Sequence, residues 1–309
     1  MKLFISLFVF LLLFSEAFSQ DSSDEDGGYF EPHPNKNIIL APGLLGPNAL
    51  PVQRIRNGLV GSNFELRINQ SSHFMEGDNT FNIDGYLLAP VVRNFMALET
   101  YWYMLEMYRS SNEIRDWRRL AARDEGTQLV MGDLNFSFLM QFVKDHKWLP
   151  DLMGVIGHKT TLGSVEDGHF TNTPALWASL SLGKDLVVVN DFKFRMNGLI
   201  GFYVYHSNRE KITQNEGPTM GLEAQFNYKS FEFCSSLSGY TGWEAVGHDD
   251  PVYWIVRLKK NRHRVDWHVE YQTGISDYPY ETVRVGFTWH LPSFLDFKEL
   301  NWKEVMKNE

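Results

Sequence analysis

The stretches VDWHVEYQ (residues 265–272) and TVRVGFTWHL (residues 282–291) decide the fold. In the first, Val265, Trp267, Val269 and Tyr271 share one parity, and Asp266, His268, Glu270 and Gln272 share the other. In the second, Val283, Val285, Phe287, Trp289 and Leu291 oppose Thr282, Arg284, Thr288 and His290. Successive side chains of a strand leave opposite faces, so each stretch reads as a strand with one apolar and one polar face. The pattern recurs upstream. Phe194, Met196, Ile200, Phe202 and Val204 oppose Lys193, Arg195, Asn197, Tyr203 and Tyr205, and Leu134, Phe136, Phe138, Met140 and Phe142 oppose Asp133, Asn135, Ser137 and Gln141.

Working outward, residues 61–291 hold about twelve such segments, near 61–69, 80–90, 94–108, 127–144, 152–164, 174–189, 192–206, 218–228, 230–240, 252–259, 264–273 and 281–291. Most approach the nine to eleven residues, roughly, that a tilted strand needs to cross a bilayer. The connections alternate in kind. Asn190-Asp191, Tyr228 to Ser230 and Lys260 to His263 are short, whereas SSNEIRDWRRLAARDEG, VEDGHFTNTP, SNREKITQNEGP, YTGWEAVGHDDP and GISDYPY are longer and polar. A soluble sandwich has no reason to sort its loops this way. A transmembrane barrel does, with short turns in the periplasm and long loops outside. The expected fold is therefore an all-β, transmembrane antiparallel β-barrel of about twelve strands, and closure removes the exposed edges of so large a sheet.

The flanks carry addresses and accessories. Residues 1–20, with Lys2, an apolar run from Leu3 to Phe14, and small Ala17 and Ser19, read as a secretory signal peptide, too short in its apolar part for a membrane helix. Residues 21–60 pass from an acidic start into Pro/Gly-rich NKNIILAPGLLGPNALPVQRIRNG, which suits neither a long helix nor a central strand. This segment is expected to be a periplasmic tail or a lumenal plug. Residues 292–309 read as a periplasmic C-terminal extension. The single cysteine, Cys234, rules out an intramolecular disulfide and suits a small packed thiol. A formal charge of −9 argues against a nucleic-acid partner, and 15% aromatic residues suit the girdles of a membrane barrel.

The polar parity supplies the candidate functional residues, expected to line the lumen: Lys193, Arg195, Glu223, Glu232, Arg257, Asp266, His268, Glu270, Arg284 and His290. Such charges either pair with one another or line a solute path. His206-Ser207-Asn208 has the residue types of an activated nucleophile, but strand neighbours diverge, so no catalytic residue and no enzymatic activity are expected. Glu166, Asp167 and His169 in one loop are a sparse set for a metal, and neither a metal nor a cofactor is expected. Arg115, Arg118, Arg119 and Arg123, among acidic residues, read as a solvated short helix with internal ion pairs.

The chain resembles outer-membrane β-barrel proteins common in Bacteroidota. The resemblance rests on the AFSQ signal end, GLLGPNALPV (43–52), the run from RDWRRLAARDEG to MGDLNFSF (115–138), and KTTLGSVEDGHFTNTPALWASLSLGKDL (159–186). It implies an architecture but no assigned activity. The chain departs from it at the end, where a terminal aromatic is replaced by PSFLDFKELNWKEVMKNE. The expectation is an integral protein in the outer membrane of a Gram-negative bacterium, a channel for small polar solutes. The alternative is a non-conducting structural or assembly component with an outer-membrane or periplasmic protein partner, and a barrel-embedded lipid hydrolase is a remote third. Outer-membrane lipid is a partner in every case.

Overall fold

The computed structural model describes residues 38–120, 126–206, 214–243, 245, 247–262 and 264–291. The signal peptide (1–20), residues 21–37 and the C-terminal extension (292–309) lie outside the described residues, as do Arg123, Ser207 and Asn208. Among the described residues, the regular structure is strand apart from one short helix, α1 (Asn112–Trp117). The strands are β1 (Phe64–Met75), β2 (Asp78–Val92), β3 (Met96–Ser110), β4 (Gln128–Val130), β5 (Leu134–Val143), β6 (Asp151–Lys159) and β7 (Ala175–Val189). They continue as β8 (Phe192–His206), β9 (Gln214–Tyr228), β10 (Phe231–Tyr240), β11 (Val252–Lys260), β12 (Val265–Ser276) and β13 (Glu281–Leu291).

Every strand pairs antiparallel with its sequence neighbour, and β1 pairs on its other edge with β13, from Phe64↔Leu291 to Phe74↔Glu281. The sheet is thus closed. Because β4 and β5 both lie along β3, they form a single course, and the barrel has twelve strands. The expected single strand over 127–144 breaks at Met131–Asp133. Asp133 leaves the ladder there to pair with the Lys159 ammonium at 2.7 Å, both groups being buried. Residues 214–217, read from sequence as loop, extend β9 beside Tyr203–His206.

An even strand number brings the first and last strands to the same rim. That rim carries the turns at 93–95, 190–191 and 229–230, where Asn94, Asn190 and Lys229 take φ of 62°, 50° and 53°. Asn enters this left-handed region more readily than most residues. The opposite rim carries the long connections 111–127, 160–174 and 241–251. By the rule for such barrels, the turn rim faces the periplasm and the loop rim the exterior.

Burial is inverted relative to a water-soluble protein. Along β13, Val283, Val285 and Phe287 are exposed while Thr282, Arg284 and Thr288 are buried, and β12 exposes Val269 and Tyr271 while burying Asp266, His268 and Glu270. So much contiguous exposed apolar wall is stable only against lipid. Phe192, Phe226, Tyr228 and Phe231 continue it at the turn rim as an aromatic girdle, with Lys229 and Lys260 over the rings of Tyr228 and Phe231. Leu222, midway along β9 and 58% exposed, tests the assignment. Leu222→Arg is expected to lower stability in vesicles by about 2–4 kcal/mol, as for basic residues at a bilayer midplane. Urea titration read by tryptophan fluorescence measures it, and an unchanged midpoint would place Leu222 in water.

Candidate functional site

Eight strands enclose a space that side chains just fill, and about sixteen leave an aqueous channel. Twelve leave a surplus, and residues 38–60 occupy it. The Pro and Gly residues of LAPGLLGPNALP keep this segment out of helix and sheet, so its backbone groups must find partners on the wall. Near the loop rim, Gly43 N–H donates to the His248 carbonyl at 2.9 Å, Gly46 N–H to the Gly168 carbonyl at 2.7 Å, and Tyr205 O–H to the Leu40 carbonyl at 2.8 Å. Leu40, Leu45, Leu50 and Val52 pack against a wall of Tyr203, Tyr205, Tyr240, Tyr253, Tyr278 and Tyr280. Near the turn rim, the Gln141 amide accepts from Val60 N–H and donates to the Gly58 carbonyl, each at 2.7 Å. The described chain therefore runs inside the barrel from loop rim to turn rim before it becomes β1.

All ten candidate residues lie on the inward parity, and the fold draws most of them into ion pairs. Glu270, 1% exposed, bonds to the Arg284 guanidinium and lies 3.3 Å from Arg54 and 4.0 Å from Arg257. Arg257 also approaches Glu223 (3.5 Å) and Glu232 (3.8 Å). Arg195 is held by Asp151 at 2.5 Å and Asp185 at 2.7 Å, and donates to the Asn57 carbonyl at 2.8 Å; Lys193 shares Asp185 at 3.0 Å. Asp266 joins Lys259 (3.0 Å) to His290 (2.7 Å). His268 is buried on the same face, against Gly286. Cys234 lies among these groups, its thiol 3.3 Å from Arg257.

Two arginines of the inner segment, invisible as site residues in the sequence, complete this network: Arg54 toward Glu270, and Arg56, which bonds to Glu99. Tyr86 O–H donates to the same Glu99 carboxylate at 3.1 Å. RIRNG carries no periodicity that would have singled them out.

The sequence also missed a second cluster at the loop rim. The Arg118 guanidinium lies 2.6 Å from Asp78 and donates to Tyr280 O–H at 2.5 Å, and Tyr280 O–H donates to Asp78 at 2.8 Å. His169 places Nδ1 2.8 Å from Glu106 and Nε2 3.2 Å from Asp78, with its ring stacked on Tyr108 at 3.5 Å. Asn48 of the inner segment donates to Glu106 at 2.6 Å, so the cluster holds the lumenal chain. The expected solvated arginine helix is corrected here: Arg115 and Arg118 are 1% and 2% exposed, because α1 folds over the barrel mouth and turns both inward. His169, close in sequence to Glu166 and Asp167, is instead a buried partner of two strand carboxylates, Asp78 and Glu106. The only sequence hint was Val165 and Phe170, apolar residues in a polar loop and both now buried.

Burial alone would push the His169 imidazole down, but the carboxylates of Asp78 and Glu106 outweigh it and raise its pKa above the ordinary 6.5. A histidine whose pKa is raised on folding gives stability that is complete below about pH 6.5 and is lost as pH rises through the folded value. Unfolding midpoints in vesicles are thus expected to fall as pH rises above about 6.5, and His169→Asn to flatten that dependence. An equal pH slope in the variant would assign it elsewhere.

No family model and no curated protein sequence matches the chain. Solved structures do. The COG4313 outer membrane channel from Pseudomonas putida F1 aligns with a TM-score of 0.51 at 12% identity, over 79% of this chain and 97% of that one. The transport unit of the autotransporter AIDA-I from Escherichia coli aligns at 0.44 and 9% identity, over 74% and 90%. The beta domain of the Bordetella autotransporter BrkA aligns at 0.43 and 11% identity, over 75% and 100%. With the lipid-facing wall and the closed ladder, the first of these likenesses fixes the fold as that of a Gram-negative outer-membrane β-barrel.

Proposed function

We propose that the protein passes small polar solutes across the outer membrane and that residues 38–60 close the passage in its resting state. The observation that carries this reading is the way the inner segment is held. Through Arg54, Arg56, Asn57 and Asn48 it is bonded to wall charges and amides, contacts that water can replace, rather than being built into the sheet. Withdrawal leaves Glu270 and Glu99 facing the vacated space without these two arginines, so the open state prefers cations. The reading assigns no catalytic role to any residue; His206 sits exposed at the end of β8. The segments quoted above support placing the chain among the Bacteroidota-type barrels.

A second reading has its own support. The loop-rim cluster of Asp78, Glu106, Arg118 and His169 is fully buried, as expected of a barrel that stays shut and serves as a structural member of a complex with an outer-membrane or periplasmic protein. Planar-bilayer recording of the full chain separates the two. The channel reading expects sparse openings that favour K⁺ over Cl⁻ and become frequent in mild urea. Silence of the folded protein under both conditions, together with a stoichiometric partner after mild extraction, would overturn it in favour of the second.

A further inference from the structure

At the turn rim, the outer wall changes character over one short stretch. The sequence KKNRHR (259–264) spans the end of β11 and its connection to β12. Lys259 turns inward to Asp266, and the Arg262 N–H donates to the same carboxylate at 2.7 Å, which fixes the turn against the barrel. Arg262 and Arg264 remain exposed, and among the described residues neither guanidinium has a carboxylate partner. Between them and the wall lies a depression of about 420 Å³ lined by Arg262, Arg264, Val265, Trp267 and Phe287. Lys260 flanks it, paired in register with Trp267 and standing 4.1 Å over the Phe231 ring.

We propose that this depression binds an anionic phospholipid of the periplasmic leaflet, with its phosphate between the Arg262 and Arg264 guanidiniums and an acyl chain along Val265, Trp267 and Phe287. Three physical points select that ligand. The floor is continuous with the lipid-facing wall, so its occupant in the membrane is already hydrocarbon. The two arginines lie where the aromatic girdle meets the headgroups, and planar guanidiniums match phosphate oxygens in pairs. The chain carries a formal charge of −9, so two exposed arginines without carboxylate partners stand out against its overall charge and complement an anionic headgroup. A free phosphate would satisfy the arginines but leave the apolar floor unexplained.

At about 1 kcal/mol per basic group near an anionic surface, two arginines correspond to a roughly thirtyfold preference for anionic over zwitterionic lipid. The full-length protein, reconstituted in phosphatidylcholine vesicles containing phosphatidylglycerol, then extracted and examined by native mass spectrometry, should retain phosphatidylglycerol over phosphatidylcholine. Arg262→Gln with Arg264→Gln should erase most of that preference while the heat-modifiable band on gels shows an intact barrel. Trp267→Ser, with both arginines present, should also weaken retention, and millimolar inorganic phosphate should not displace the lipid. Unchanged preference in the arginine double variant overturns the proposal. Displacement by phosphate with no effect of Trp267→Ser also overturns it, reducing the site to a simple anion contact, and release by an acidic peptide but not by lipid would reassign the patch to a protein partner.

Discussion

Replacing Gly183 by leucine is expected to turn a quiet barrel into a steadily conducting one. Gly183 faces inward on β7, and a Cβ built there would collide with the Asn57 carbonyl oxygen and come within 2.6 Å of Arg195 Nη2 and 2.8 Å of Asn197 Oδ1. The wall cannot yield, because Gly183 pairs with Asp151 on one side and Asn197 on the other in continuous ladders. The inner segment can yield, since at this level it is held by side-chain bonds alone. Gly58 makes the seat tighter still: it sits at φ +77°, and a Cβ there would lie 2.7 Å from the Asp151 carbonyl oxygen. A leucine at 183 therefore pushes residues 57–58 out of place and strips the Arg195 contact with Asn57. Single-channel recording should show long open times where the parent shows sparse events, while heat-modifiability confirms that the barrel is closed on itself. A folded variant as silent as the parent would mean that residues 38–60 do not control passage.

The largest stability effect is expected at Glu270. This carboxylate is 1% exposed and is shared by Arg284, Arg54 and Arg257. Glu270→Ala leaves three guanidiniums facing one another around a vacated volume, and removing one member of a buried pair costs about 3–5 kcal/mol. Removing Arg284 as well should recover part of the loss, since the uncompensated charge, rather than the missing attraction, accounts for most of it. Reversible unfolding in phosphatidylcholine vesicles reads both variants. A loss for Glu270→Ala within about 1 kcal/mol, as for an exposed pair, would show that water already fills this level of the lumen. Because Arg54 belongs to the inner segment, the same variant should also raise open probability, whereas Arg67→Gln, of a residue 25% exposed and 4.0 Å from Glu65, should change neither property appreciably.

The parity of β8, β12 and β13 was written in the sequence, and with it went the closed barrel and the rim that carries short turns. That legibility has a simple origin. A strand has a period of two, lipid and lumen are opposite solvents, and each side chain must choose between them, so the choice is recorded locally in residue type. The inner segment obeys no such period. Pro42, Gly43, Pro47 and Pro51 exclude regular structure, and whether Leu40 and Leu50 would be buried depended on how much space twelve strands leave over, a quantity that belongs to the closed cylinder. The same holds for Arg118 and His169, whose loops carry no alternation. Asp78 and Glu106, on two neighbouring strands, give those loops a buried negative site to close upon. Sequence alone determined which face of each strand meets lipid; only the tertiary structure decided what fills the interior, because that depends on charges brought together from strands and loops far apart in the chain.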